Sequence, residues 1–226
     1  MEVFGSERLT CALRTAIERY DPRVVIETGT YLGLGSTHIL AEAFTDAPPD
    51  RFFTIEVSRA HYDLARENLA DYPFVELLWG LSIERAAAER FVLEESGQPE
   101  FYLHEIRGGF GGAGLSLDAP DRLLEKLLRE HADACPLIAL DSAGGVGWLE
   151  FTEVVRLMEG RPYVLFLDDV TSEKHERSRE HIESSPEFFV LDVFERDGWL
   201  VAACNAEARA RSYPFGRERV VNAVGR

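Results

Sequence analysis

The chain is short of basic residues, short of cysteines and without a long apolar run, and each shortage removes a class of protein. Its 24 Lys and Arg stand against 40 Asp and Glu, a formal charge of −16 at neutral pH. Nucleic-acid binders hold phosphates through clustered Lys and Arg, so a nucleic-acid partner is disfavoured. Cys11, Cys135 and Cys204 are odd in number, far apart and set among apolar neighbours, with no CxxC pair. Neither a disulfide framework nor a zinc site is indicated, and three buried free thiols in a reducing cytoplasm are expected. No stretch approaches the ~18 uninterrupted apolar residues of a membrane span. The opening MEVFGSERLTCALRTAIERY mixes charge into every turn and holds no apolar run of signal-peptide type.

What is there suits a globular chain: 226 residues, 46% apolar and 28% charged, too apolar for disorder. A chain this long needs neither disulfide nor metal to hold a core. Apolar spacing predicts a helix over 6–20, ended by Asp21-Pro22, and then an alternation of strand and helix. Strands are expected at 23–27, 51–56, 74–79, 136–141 and 163–168, and helices at 36–44, 60–69, 83–95 and 148–159. Apolar strands joined through helices imply parallel strands buried on both faces. The tail differs, because 188–195 and 199–205 read as an antiparallel hairpin around an Asp-Gly turn. No repeat or long linker divides the chain, so a single α/β domain over 1–226 is expected. Residues 97–119 hold too many glycines for an element interior, and 120–133 reads as a helix with Pro120 near its first turn. This insertion, 97–133, is either a tolerated surface loop or a lid over a site.

The turn after the first strand, Glu27-Thr-Gly29-Thr-Tyr-Leu-Gly33-Leu-Gly35-Ser36, opens a helix. Glycines there permit positive φ and close approach of a ligand, and the helix N-terminus offers unpaired N–H groups. The spacing G-x-x-x-G-x-G is not the G-x-G-x-x-G of dinucleotide binders, and no Gly-Lys-Ser/Thr makes it a P-loop. Glu27 would repel a pyrophosphate but suits an amino group or hydroxyls. Glu56 ends the next strand 21 positions past Gly35, close to the ~20-residue interval at which an acid meets ribose hydroxyls.

With these residues the chain resembles the class I S-adenosylmethionine (SAM)-dependent methyltransferases, over roughly residues 20–205. ETGTYLGLGS is similar to their first motif, TIEVS (54–58) to the second, and LWGLS (78–82) to the segment after the third strand. The resemblance implies a Rossmann-like sheet of about seven strands, the last antiparallel. It implies a cofactor site in which Gly29, Gly33 and Gly35, with Glu27, Thr30 and Ser36 of the same turn, line the methionine part. Glu56 would take the ribose hydroxyls, Gly80 to Ser82 would lie by the adenine, and Asp141 would close the site.

Asp141 ends the fourth strand and Asp168-Asp169 the fifth. Carboxyl ends of parallel strands share one edge, and three carboxylates there repel unless a cation or proton intervenes. Asp141, Asp168 and Asp169 are therefore candidate ligands for Mg²⁺ or another divalent cation, with helix capping by the aspartates as the other reading. The arrangement resembles the metal-dependent small-molecule O-methyltransferases, with Asp169 where an Asp-Asn pair would have Asn. Lys174 and His175 follow on the same edge, and His175 is read either as a base for an acceptor hydroxyl or as part of a charged, solvated helix. Trp148, in DSAGGVGWLEF, is either an aromatic wall or a core residue, His38 is expected to be structural, and His181 is expected at the surface. His104-Glu105 lacks the second histidine of H-E-x-x-H, and no G-x-S-x-G elbow occurs.

The expected protein is a cytoplasmic SAM-dependent methyltransferase of a small-molecule acceptor, by O-methylation of a sugar or secondary metabolite. Asp141, Lys174 and His175 are the catalytic candidates. The alternatives are an NAD-type oxidoreductase on a related sheet, or a non-catalytic cofactor-binding member of the fold. Neither nucleic acid nor membrane is expected as a partner, and the oligomeric state stays open, a homodimer being one option.

Overall fold

The structure is a computed structural model that describes residues 3–95, 100, 119–143, 145–196 and 198–206, with side chains from residue 7 onward. Seven strands form one sheet: β1 (Val24–Thr28), β2 (Arg51–Glu56), β3 (Val75–Trp79), β4 (Leu137–Leu140), β5 (Tyr163–Leu167), β6 (Phe188–Phe194) and β7 (Trp199–Cys204). Their order is β3-β2-β1-β4-β5-β7-β6. Strands β1 to β5 run parallel to one another, and β7 runs antiparallel to both β5 and β6.

The helices are α1 (Val3–Tyr20), α2 (Ser36–Ala43), α3 (Arg59–Asn68), α4 (Arg85–Glu95), α5 (Leu123–His131), α6 (Gly147–Leu157) and α7 (Glu176–Ser184). The alternation expected from the apolar runs is present among the described residues, with boundaries displaced by up to three residues, as at the start of α1. Successive strand residues face opposite layers. Val24 and Ile26 pack with Leu124 and Leu128 of α5, Phe151 and Val154 of α6 and Ile182 of α7. Val25 packs on the other face with Leu13 and Ala16 of α1 and Leu40 of α2. Both faces of the central strands are covered, so β1, β4, β5 and β7 are buried along their whole length. This is why β4, β5 and β7 read as unbroken apolar runs, and β1 as one up to Glu27.

Two details of the expected elements change. The helix after the insertion starts at Leu123 behind Arg122, which holds φ 58°, so Pro120 lies outside it. The Pro120 carbonyl instead accepts from Leu81 N at 2.9 Å. The helix expected around His175 begins only at Glu176, with His175 itself in the cap position, so neither Asp168 nor Asp169 caps it. The edge strand β6 carries a bulge between Val190 and Asp192, and Asp192 is paired with Arg8 at 2.6 Å; both features discourage another strand from adding to the edge. Residues 97–99, 101–118, Gly144 and Asp197 are outside the described residues, as are the lid reading, His104-Glu105 and the centre of the Asp-Gly turn.

Candidate functional site

Parallel register is what gathers the site. Thr28 pairs with Leu140 and Leu140 with Leu167, so β1, β4 and β5 end level. The residues that follow, Gly29, Asp141 and Asp168, emerge together at the break in strand order between β1 and β4, where open sheets of this kind take ligands. Gly29 has φ +86°, and a Cβ there would stand 2.8 Å from Ser142 N and closer still to the carbonyl group of Asp141. Only glycine lets the turn after β1 lie against the turn after β4. Gly33 has φ +71°, and a Cβ would press on Leu69 at 2.8 Å. Around Gly35, which precedes α2, a Cβ would meet open space.

Glu27 is fully buried beneath this turn. Thr54, its register partner on β2, donates from Oγ1 to Glu27 Oε2 at 2.7 Å and lies 2.6 Å from the Thr30 hydroxyl. Ser36 Oγ lies 2.8 Å from Glu27 Oε1 and 2.8 Å from Asp141 Oδ2. One hydroxyl proton cannot serve two carboxylates, so a proton on Glu27 completes the set. Burial pushes the Glu27 carboxyl up to about 7, against the lowering hydrogen bonds. Glu27 thus braces the turn from beneath, through Thr54 and Ser36.

Glu56, at the end of β2, is nearly buried. Tyr31 N donates to Oε2 and Ser58 N to Oε1, each at 2.7 Å. Burial raises its carboxyl to about 7 despite these amides. His61 stands 3.8 Å away, its own pKa lowered by burial, with Tyr31 edge-on to its ring at 4.6 Å. Gly80 then turns the chain after β3 with φ +154°, where a Cβ would meet the Pro120 carbonyl oxygen at 2.5 Å.

At the ends of β4 and β5, Asp141, Asp168 and Asp169 offer oxygens within 4.8 Å of one another. Lys174, nine-tenths buried, places Nζ 2.6 Å from Asp141 Oδ1 and 3.2 Å from Asp169 Oδ2. Burial works against the ammonium, but Asp141 and Asp169 outweigh it and hold its pKa above the ordinary value. Asp168 rises to about 7 through burial and the neighbouring Asp141.

No family model matches the chain, and no curated protein does. Solved structures do. The cofactor-bound Rv0187 from MTB is 18% identical at TM-score 0.52, covering 91% of this chain and 81% of its own. An O-methyltransferase from Bacillus cereus in complex with SAH is 18% identical at TM-score 0.51, covering 90% and 82%. TomG from Streptomyces achromogenes, an O-methyltransferase involved in tomaymycin synthesis and solved with SAM, is 18% identical at TM-score 0.50, covering 90% and 81%. The chain has the class I methyltransferase fold.

Within that methyltransferase fold the remaining candidates fall unevenly. Gly29, Glu56, Gly80, Asp141, Asp168, Asp169 and Lys174 lie along the carboxyl edge. His175 is displaced from it. It is completely buried, with Nδ1 3.2 Å from Ser178 Oγ, and burial together with Lys174 pushes its pKa down to about 3. Its ring lies under Gly147, where a Cβ would come within 2.9 Å of Nε2. This corrects both readings made from the sequence, for an acceptor proton does not reach a ring so enclosed, and the ring is not solvated. Ser82 is also turned inward, onto Glu150. Trp148 stacks on Phe151 under the Arg177 guanidinium, and His181, half-buried at the surface, sits against the same rings. His38 pairs with Glu42 on α2.

Glu150 is the residue that sequence reasoning missed. It is fully buried on α6, and its carboxylate gathers hydroxyls from Ser82 after β3, Ser142 after β4 (2.8 Å) and Thr28 at the end of β1 (3.0 Å). It pins three loops of the edge from below. A signal was available, since Val146, Glu150 and Val154 share one helical stripe and an acid within an apolar stripe is anomalous.

The three aspartates suit a hard cation by donor type. They do not fit one as arranged, because the ammonium of Lys174 already lies on two of them, and a divalent ion on the same oxygens would meet it at close range.

Proposed function

We propose that this protein transfers the methyl group of SAM to an oxygen of a small-molecule acceptor, a sugar or a secondary metabolite. The observation that carries this is the pairing of the glycine turn, closed against Asp141, with Glu56 held rigid by two amides one strand away. The turn leaves room for the methionine end of the cofactor, and each Glu56 oxygen retains a lone pair for a ribose hydroxyl. The neighbours of known structure described with SAM or SAH support the same cofactor.

In the reaction an acceptor oxygen forms a bond to the methyl carbon as the carbon–sulfur bond breaks, and the bonding pair remains on sulfur as the sulfonium becomes a thioether. The acceptor hydroxyl proton leaves to a carboxylate, and Asp168, with its pKa at about 7, is the best matched. Lys174 spends two of its three N–H donors on Asp141 and Asp169, which leaves the third to hold the acceptor oxygen. Most of the acceleration is then orientation, an in-line approach of oxygen to methyl. The acidic edge favours a cationic sulfonium and neutral acceptors over anionic ones.

Calorimetric titration of the full chain with SAM, SAH and NAD tests the reading. Saturable binding of SAM and SAH but not NAD is expected, and binding of NAD alone would return the oxidoreductase reading. Radiolabelled methyl transfer to a panel of hydroxylated metabolites separates an enzyme from a silent binder.

A further inference from the structure

The loop from β5 to α7 is built to deliver one ammonium. Asp169 takes φ 59°, its carbonyl accepts from the Ser172 amide and hydroxyl (3.1 and 2.9 Å), and Lys174 N donates to Ser172 Oγ at 3.3 Å. Val170 N donates to the Gly198 carbonyl of the β6–β7 hairpin at 2.6 Å, which ties the curl to the sheet. On the other side the Lys174 backbone is wedged against Gly147, where an added Cβ would stand 2.6 Å from its carbonyl oxygen. The side chain is therefore held among the aspartates on both flanks and is not a surface lysine that happens to reach them.

We propose that Lys174 is the resident cation of this edge: its ammonium fills the place among Asp141, Asp168 and Asp169 that a divalent metal would otherwise take, so the protein binds no metal there. The methyl transfer it serves rests on the function proposed above; the cation assignment does not, because it is read without SAM.

Manganese paramagnetic resonance on the full chain decides it. The unaltered protein should leave the free Mn²⁺ signal unchanged up to about 1 mM, the weak end of carboxylate cation sites. Lys174→Met should bind one Mn²⁺ per chain at least about tenfold more tightly than the unaltered protein, which is about 1.4 kcal/mol, and Asp141→Asn added to it should abolish that binding. Uptake of Mn²⁺ by the unaltered protein that is lost in Asp141→Asn overturns the proposal. So does a folded Lys174→Met that binds none. Should Lys174→Met fail to fold, the unaltered protein and Asp141→Asn still decide the question. Failure to bind SAM would sink the functional reading and leave this one standing.

Discussion

At the ends of β1 and β2, Glu27 and Glu56 are met by hydroxyls and amides, whereas at the ends of β4 and β5 Asp141 and Asp169 are met by an ammonium. The two halves of one sheet edge thus hold their acids in different ways, for Glu27 and Glu56 are buried whereas Asp141 is half-buried and Asp169 exposed. Neutral donors offset only part of the desolvation, so Glu27 and Glu56 rise to about 7 and act as braces for backbone. In the second half a buried ammonium lies between two carboxylates, and charged groups are what an acceptor oxygen and a departing proton can use. Shape belongs to the first half and charge to the second.

The substitution with the largest expected effect strikes the seam between the halves. Gly29→Ala combines a strained φ with a collision against the Asp141 backbone, and a loss of about 3 kcal/mol is expected in urea unfolding. Next, Glu150→Leu leaves the buried Thr28 and Ser82 hydroxyls and the half-buried Ser142 hydroxyl without this acceptor and should cost about 2–4 kcal/mol. Glu150→Gln, which keeps an acceptor, should cost about 1 kcal/mol. Equal costs would show that Glu150 is held by packing alone. Glu56→Ala should weaken SAM about tenfold in calorimetry, near 1.4 kcal/mol, without changing Mn²⁺ behaviour. A change in both would mean the halves are not separate.

A smaller effect is expected from pH. Glu27 and Glu56 have ordinary values of 4.5 and folded values of about 7. Between those values the folded state binds more protons than the unfolded one. Their contribution to stability is complete below about pH 4.5 and is lost as pH rises through about 7. The melting temperature should fall across that window, and Glu27→Gln should flatten part of the fall. A flat profile in the unaltered protein would mean both acids are ionised and the contrast with the second half is false. The least effect is expected at His175. Its ring carbon shifts in NMR should not titrate between about pH 5 and 9, since burial holds it neutral.

Much of this was legible along the chain. Buried parallel strands read as apolar runs, so their ends, and the acids at them, could be located: Glu27, Glu56, Asp141 and Asp168 all lie where the runs stop. The glycine turn was legible because positive φ and close approach leave few other residues possible at Gly29. Glu150 was marked by its stripe and still passed over, for nothing local says which loops an inward acid will meet. His175 was misjudged because its neighbours Glu173, Lys174, Glu176 and Arg177 look like a solvated helix, whereas the chain rolls its ring inward just before α7 begins.

Periodicity and turn chemistry by themselves determined the element order, the strand ends and the acids standing at them, because those depend on neighbours a few residues apart. Only the tertiary structure decided which acids are braced by hydroxyls and which by Lys174, and that His175 is core. Those outcomes depend on what burial brings next to each charge, over separations such as the 33 residues between Asp141 and Lys174, and no local pattern encodes that distance.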